Sequence, residues 1–327
     1  MNKRNYYTDN LKAFLIFLVV LGHVYEYVSF AGINTLYIVI YTFHMPAFTF
    51  ISGLYFKKTD NNSIFKNLLY PYLIFQVAYI LLTSFLAKNP IRIQFTTPEW
   101  IMWYLFAMFL WYCVSNIISL NSKKQGAVIL IISVIIALIS GFDQTVGHYF
   151  SLSRAIVFFP FFFAGVYIRK FYFDKFEQLV FKPTKTVKAL LTILVITYAI
   201  TIFLLRSKFK VEWFYQSYPY QHRYGILIRL ATIIFAAIFI LFMFIFIPKS
   251  KCTLITYIGQ NTMPIYLLHG FIVLIFSNKM LLSKLPLPII STAILSALIV
   301  IVLSSPPVVK VVKPFLKYPF YKNKDNR

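Results

Sequence analysis

Charge is scarce in this 327-residue sequence: 13% of residues are Asp, Glu, Lys or Arg, and only nine are acidic. Soluble domains carry about a quarter charged residues and about half apolar ones. Here 60% are hydrophobic and 20% aromatic, with a mean hydropathy of +0.74, which excludes a soluble composition. Cysteine is nearly missing as well. Cys113 and Cys252 fall in or beside different apolar runs, with no spacing that a disulfide framework or metal site would need. Low-complexity stretches and obvious internal repeats are absent. No small-residue cleavage site follows the first apolar run, which therefore reads as a retained span and not a removable signal.

What is present is apolar length. A membrane span needs about 20 mostly apolar residues, and ten stretches qualify: 10–29, 35–56, 64–86, 100–120, 125–141, 154–170, 187–205, 225–247, 254–277 and 288–309. The expected fold is an all-α polytopic bundle of about ten transmembrane helices, a single integral membrane domain over 1–327 with no appended soluble domain. The net charge of +23 would also suit a nucleic acid. The basic residues, however, are spread over short connections, where they orient a chain in a lipid bilayer, so no nucleic-acid partner is expected.

Their distribution sets a direction. With the N-terminus cytoplasmic, the inner segments hold Lys3, Arg4 and Lys12; Lys57, Lys58 and Lys66; Lys123 and Lys124; the cluster from Arg169 to Lys188; Lys249 and Lys251; and the tail from Lys310 to Arg327. An odd number of spans would break this alternation, so both termini are expected in the cytoplasm. Four basic residues (Arg206, Lys208, Lys210 and Arg223) lie in a long outer connection rich in tyrosine. That segment could attract an anionic glycan or lie on lipid headgroups.

The direction also assigns depth. His23 and Glu26 fall in the outer half of the first span, His44 at a similar depth in the second, and His269 in the outer half of the ninth. Arg154 opens the sixth span and Arg229 lies about one turn into the eighth. Ionisable groups at membrane depth cost several kcal/mol unless they face protein or a water-filled cavity. They can serve only to pair helices, but six at one depth point to a cavity opening outward. His148 and His222 fall in outer connections and are left out of the site. No metal is expected.

The first span also carries a spacing. Eleven residues make close to three helical turns, so Lys12 and His23 share one stripe, about 16 Å apart. His23 and Glu26, three apart, share a face. Lys12 alone reads as an inside-positive anchor. On this stripe it could hold the phosphates of a long donor whose chain reaches toward His23.

These residues resemble those of a known family. Lys12 and His23 in "DNLKAFLIFLVVLGH", the segment "YTFHMPAFTFISGLYFKK" with His44, Pro46, Ser52 and Gly53, "FKNLLYPYLIF" at 65–75, "WYLFAMFLW" at 103–111, "SRAIVFFPFFFAGVYIRK" at 153–170 and "IGQNTMPIYLLHG" in the ninth span follow one another in order. Together they resemble the acyltransferase-3 family of integral membrane acyltransferases, most closely its fucose 4-O-acetylase-like branch of bacterial surface-sugar O-acetyltransferases. The resemblance implies a multi-pass protein of the bacterial cytoplasmic membrane. It would move acetyl from cytoplasmic acetyl-CoA to a hydroxyl of a cell-surface polysaccharide or lipid-linked glycan. It further implies that His23 is the essential catalytic residue and that Lys12 helps hold the CoA phosphates. Lys66, on the cytoplasmic side by the charge count, is a second cofactor-binding candidate.

Acyl transfer to a hydroxyl needs a base and a stabilised oxyanion. His23 suits the first role, oriented by Glu26 or a water; a covalent acyl-histidine is an alternative. Arg154, Arg229, His44 and His269 are candidates for the oxyanion or substrate. Trp103 and Tyr104 read either as an interfacial aromatic belt or as a platform for a sugar ring. Gly53, Gly165 and Gly259 read as sites of close helix contact. Asn261, near the cytoplasmic end of the ninth span, reads either as a helix cap or as a contact to CoA, with the cap preferred. An exporter of polysaccharide or lipid-linked sugar, without acyl transfer, is the rival class, and the absence of paired repeat halves counts against it. A homo-oligomer is compatible with either.

Overall fold

The computed structural model describes residues 6–29, 32–145, 147, 149–222 and 225–316. Lys3, Arg4, His148, Arg223 and the basic residues of the tail from Lys317 onward lie outside the described residues. In lipid every backbone N–H and C=O must be satisfied within the chain, and the apolar runs answer this by folding as helices: α1 (Tyr6–Tyr25), α2 (Ile33–Leu54), α3 (Asn61–Ala87), α4 (Trp103–Ile117), α5 (Lys123–Ile139), α6 (Leu152–Phe171), α7 (Phe173–Phe181), α8 (Lys185–Leu204), α9 (Gly225–Phe246), α10 (Thr253–Gln260), α11 (Thr262–Asn278), α12 (Pro288–Ser304) and α13 (Pro306–Leu316). Among the described residues there is no strand.

Among the described residues eight helices are long and apolar enough to span a membrane, and the number reaches ten when each of two bent pairs is counted as one span. The bends depart from the continuous ninth and tenth spans expected from hydropathy. α10 and α11 meet at 81° and α12 and α13 at 65°. The causes are local. Asn261 leaves helical geometry between α10 and α11, and its side-chain amide donates to the Tyr257 carbonyl at 2.9 Å, satisfying the end of α10. At the second bend Ser305 is extended (ψ 149°), the conformation a following proline favours, and Pro306 and Pro307 then open α13, where their missing N–H groups cost nothing. A third irregularity, the π-helical turn at Phe65–Leu69, sits just before Pro71, and in it the Tyr70 N–H donates to the Phe65 carbonyl five residues back.

The two N-terminal helices occupy the centre: 72% of the apolar window of each is buried within the protein, against 17% for α8, which faces lipid. α1 packs on α2, α10, α11 and α12, and α2 on α6. Glycine sets how closely the last pair approaches. A Cβ on Gly53 would stand 1.8 Å from the Phe162 carbonyl oxygen, and one on Gly165 would stand 2.3 Å from that of Phe50. Backbones this near leave no room for a side chain, so both positions hold α2 and α6 in register. Three polar side chains start helices elsewhere: Asp60, Ser122 and Thr184 accept the N–H of Ser63, Gln125 and Val187.

Gly53→Ala should destabilise the detergent-solubilised protein by about 1–3 kcal/mol through overpacking. Gly147→Ala, where a Cβ meets nothing within 4 Å, should leave thermal unfolding unchanged. Equal melting temperatures for the two variants would refute the close-contact account.

Candidate functional site

The C-terminal end of α1 brings His23 and Glu26 together. His23 Nδ1 lies 2.9 Å from Glu26 Oε1. The same oxygen accepts the Tyr41 hydroxyl at 2.7 Å and the Tyr37 hydroxyl at 3.2 Å, and Oε2 accepts the Trp100 indole N–H at 3.2 Å. Four donors from three chain segments therefore hold one carboxylate. Because a carboxylate only accepts, Nδ1 of His23 carries the proton and Nε2 presents a lone pair. The ring is held on two sides: Trp100 meets it edge-on at 4.7 Å, and His269 stacks on it at 5.4 Å with an interplanar angle of 29°.

His23, Glu26, Tyr41 and Trp100 border a cavity of about 250 Å³ that is also lined by His44, Trp103 and Arg154. Arg154 donates from Nε to the Tyr215 carbonyl at 3.3 Å and from a terminal nitrogen to Ser217 Oγ at 3.4 Å. Its guanidinium lies 5.0 Å over the Trp103 ring. Tyr215 and Tyr218, from the connection between α8 and α9, fold over the cavity, and the Tyr215 hydroxyl meets that of Tyr37 at 2.9 Å. Burial pushes the Tyr215 hydroxyl up to about 12, so it stays neutral and able to donate at physiological pH. His44 and His269 each donate Nδ1–H to the carbonyl four residues earlier, Ile40 at 2.7 Å and Ile265 at 2.9 Å. Their Nε2 atoms are thus acceptors, and that of His269 is buried without a hydrogen-bond partner.

A second cavity, of about 350 Å³, lies toward the start of α1. Lys12, Ile16 and Val19 line it, and His23 follows one turn later in the other cavity. Lys12 pairs with Asp9 at 2.8 Å. Asp9 is fixed in turn by the contact of α1 with α10, where a Cβ on Gly259 would stand 1.8 Å from the Asp9 carbonyl oxygen. Asn10 anchors the same turn, donating to the carbonyls of Pro248 and Ser250 at 2.9 Å and accepting from Thr256 at 2.8 Å. The Lys12–His23 stripe therefore runs between two cavities along one face of α1.

The structure sorts the residues singled out by depth. His23, Glu26, His44, Trp103 and Arg154 share one cavity, and His269 packs behind His23 without lining it. Lys12 and Tyr104 line the other cavity, with Tyr104 bonded to Ser52 at 3.0 Å. Trp103 and Tyr104 are buried, so neither forms a lipid-facing belt. Lys66, on the π-helical turn, is half-buried beside Asn67 and Leu68, which line the Lys12 cavity while Lys66 does not.

Arg229 does not line the His23 cavity. Its guanidinium donates to the carbonyls of Ala137 at 3.0 Å and Tyr218 at 3.2 Å and to Ser140 Oγ at 3.3 Å, and it lies 4.6 Å over the Tyr220 ring. Depth placed it with the others, but depth does not specify which way a helix face points.

Sequence reasoning missed Asp9, Tyr37, Tyr41, Trp100, Tyr215 and Tyr218. Helical spacing offered a signal for some of them: Tyr37 and Tyr41 are four apart on the face that carries His44, and Asp9 is three before Lys12. Tyr215 and Tyr218 had no such signal, since a connection has no period.

A family model described as an acyltransferase domain matches residues 5–306. No curated protein matches the chain, and no solved structure does.

Arg229→Ala would leave the buried Ala137 carbonyl and the part-buried Tyr218 carbonyl without their charged donor, so it should cost about 2–3 kcal/mol of stability. Thermal unfolding followed by tryptophan fluorescence checks this. A variant as stable as the wild type would show that the guanidinium does not brace these connections.

Proposed function

We propose that this chain, which belongs to the acyltransferase-domain family matched over residues 5–306, is a membrane O-acetyltransferase. It moves acetyl from cytoplasmic acetyl-CoA to a hydroxyl of a bacterial cell-surface polysaccharide or lipid-linked glycan, as in the fucose 4-O-acetylase-like branch. One observation carries the reading: a single face of α1 sets an ammonium, Lys12, in one cavity and a carboxylate-held imidazole, His23, in the other. The two are about 16 Å apart along the helix, a separation suited to a donor with a phosphate-bearing head and a long arm ending in a thioester.

In this reading the end bearing Lys12 faces the cytoplasm and the CoA phosphates rest on its ammonium. The acceptor sugar enters the His23 cavity, where Trp103 offers an aromatic face. His23 Nε2 takes the proton of the attacking hydroxyl while Glu26 steadies the imidazolium that forms. The sugar oxygen bonds to the thioester carbonyl carbon, the carbon–sulfur bond breaks, and the proton passes from His23 to the departing thiolate, releasing CoA. Arg154, with two of its five N–H donors engaged in the bonds to Tyr215 and Ser217, is the group best placed to meet the developing oxyanion. The His44 Nε2 lone pair can accept a second sugar hydroxyl.

The test uses membrane vesicles whose Lys12 face is accessible, supplied with labelled acetyl-CoA and cell-envelope glycan. Wild type should place base-labile label on the glycan. His23→Ala should lower the rate by about 10²–10⁴-fold, the usual contribution of a positioned base. Glu26→Gln should lower kcat with little change in the KM for acetyl-CoA, whereas Lys12→Ala should raise that KM and recover rate at high donor concentration. A wild type that acylates nothing across donors and acceptors, yet moves glycan across the membrane, would replace this reading with that of an exporter.

A further inference from the structure

The two cavities have one lining residue in common, Met45. On α2, Tyr41 and His44 line the His23 cavity and Phe48, Ile51 and Ser52 line the other, with Met45 between them. Neighbouring helices repeat the division within about one turn. Val19 and His23 of α1 fall on opposite sides of it, as do Tyr104 and Trp103 of α4. On α11, Tyr266 lines the Lys12 cavity while His269 stacks on His23. The divide is thus a thin layer built by four helices.

Most of that layer is pinned. Val19 is buried and β-branched, which leaves it few rotamers. Tyr104 is bonded to Ser52, Tyr266 donates to the Ile101 carbonyl at 2.6 Å, and His269 donates to Ile265. Trp103 is held under Arg154. Met45 is only partly buried, has no strong donor or acceptor to anchor it, and is unbranched with three rotatable bonds. It is the member of the layer that can move while the rest stays in place.

We infer that Met45 is the gate between the donor and acceptor cavities and that the opening it allows decides which acyl groups reach His23. The proposal rests on the acyltransferase reading for its substrate and on the cavity geometry alone for its position. With methionine in place the passage admits a two-carbon acyl group, and each added methylene must displace the thioether further. Discrimination of one methylene by an apolar wall amounts to about 10–200-fold.

Two experiments decide it. In a chain with Cys113 and Cys252 replaced by alanine, Met45→Cys is exposed to a membrane-impermeant thiol reagent in sealed vesicles of each orientation, with Ile16→Cys in parallel. Met45→Cys should be labelled from both sides, with coenzyme A protecting it only from the Lys12 side, whereas Ile16→Cys should be labelled from the Lys12 side alone. Labelling of Met45→Cys from one side only, or from neither, overturns the gate whatever the protein catalyses.

The second experiment compares acetyl-, propionyl- and butyryl-CoA as donors. Met45→Ala and the milder Met45→Val should raise the butyryl-to-acetyl rate ratio by about tenfold or more, and Met45→Leu should keep the wild-type preference. An unchanged ratio in an active Met45→Ala or Met45→Val variant removes the selectivity role. A wild type inactive with every donor removes the acyltransferase reading instead, and the labelling result still decides the position of the gate.

Discussion

A carboxylate at the end of a membrane-buried helix has to be surrounded by donors or it will not stay charged, and the arrangement around Glu26 follows from that requirement. Its two oxygens accept from His23, Tyr37, Tyr41 and Trp100, groups supplied by α1, α2 and the segment entering α4. Each bond fixes a partner as well as the carboxylate. The stacked pair Tyr37 and Tyr41 aligns α2 against α1, Trp100 brings the start of α4 over the imidazole, and Tyr37 reaches on to Tyr215 in the covering connection. Removing this shared acceptor would leave several donors unsatisfied at once.

The helical frame has to hold that cluster without adding side chains to it. It does so through backbone proximity: α2 meets α6 at Gly53 and Gly165, and α1 meets α10 at Gly259. Between apolar helices in lipid, close van der Waals contact of this kind drives association, since burial of apolar surface offers little when the solvent is itself apolar. The Gly259 contact also reaches the second cavity, because it sets the turn of α1 that holds Asp9 and, through it, Lys12.

Helix breaks extend the same design. Where α10 turns into α11 at Asn261, the chain redirects so that Thr262, Met263 and Tyr266 face the Lys12 cavity and His269 reaches His23. The bend before α13 brings Leu316 to the same cavity. Each break has its hydrogen-bonding deficit met locally, by an amide side chain or by proline at a helix start. A hydropathy profile reads straight through them, because it averages over a window longer than the break.

Much of this protein was legible in its residues alone. Apolar run length determined the helices, because runs of about 20 residues are too long for the strands of a barrel and satisfy their backbone in lipid as helices. The eleven-residue spacing determined that Lys12 and His23 share a face, because the helical period is a property of the backbone. The three-residue step made contact between His23 and Glu26 available, and the structure makes it. What the tertiary fold alone decided was azimuth and connection: Arg229, grouped with the others by its place along the helix, braces a carbonyl cluster instead, Tyr104 and Trp103 are adjacent in sequence yet line different cavities, and Tyr215 joins the site from a connection with no period to read. Depth along a helix is additive in sequence. The direction a face points depends on which neighbours pack against it, and that is set by contacts between residues far apart in the chain.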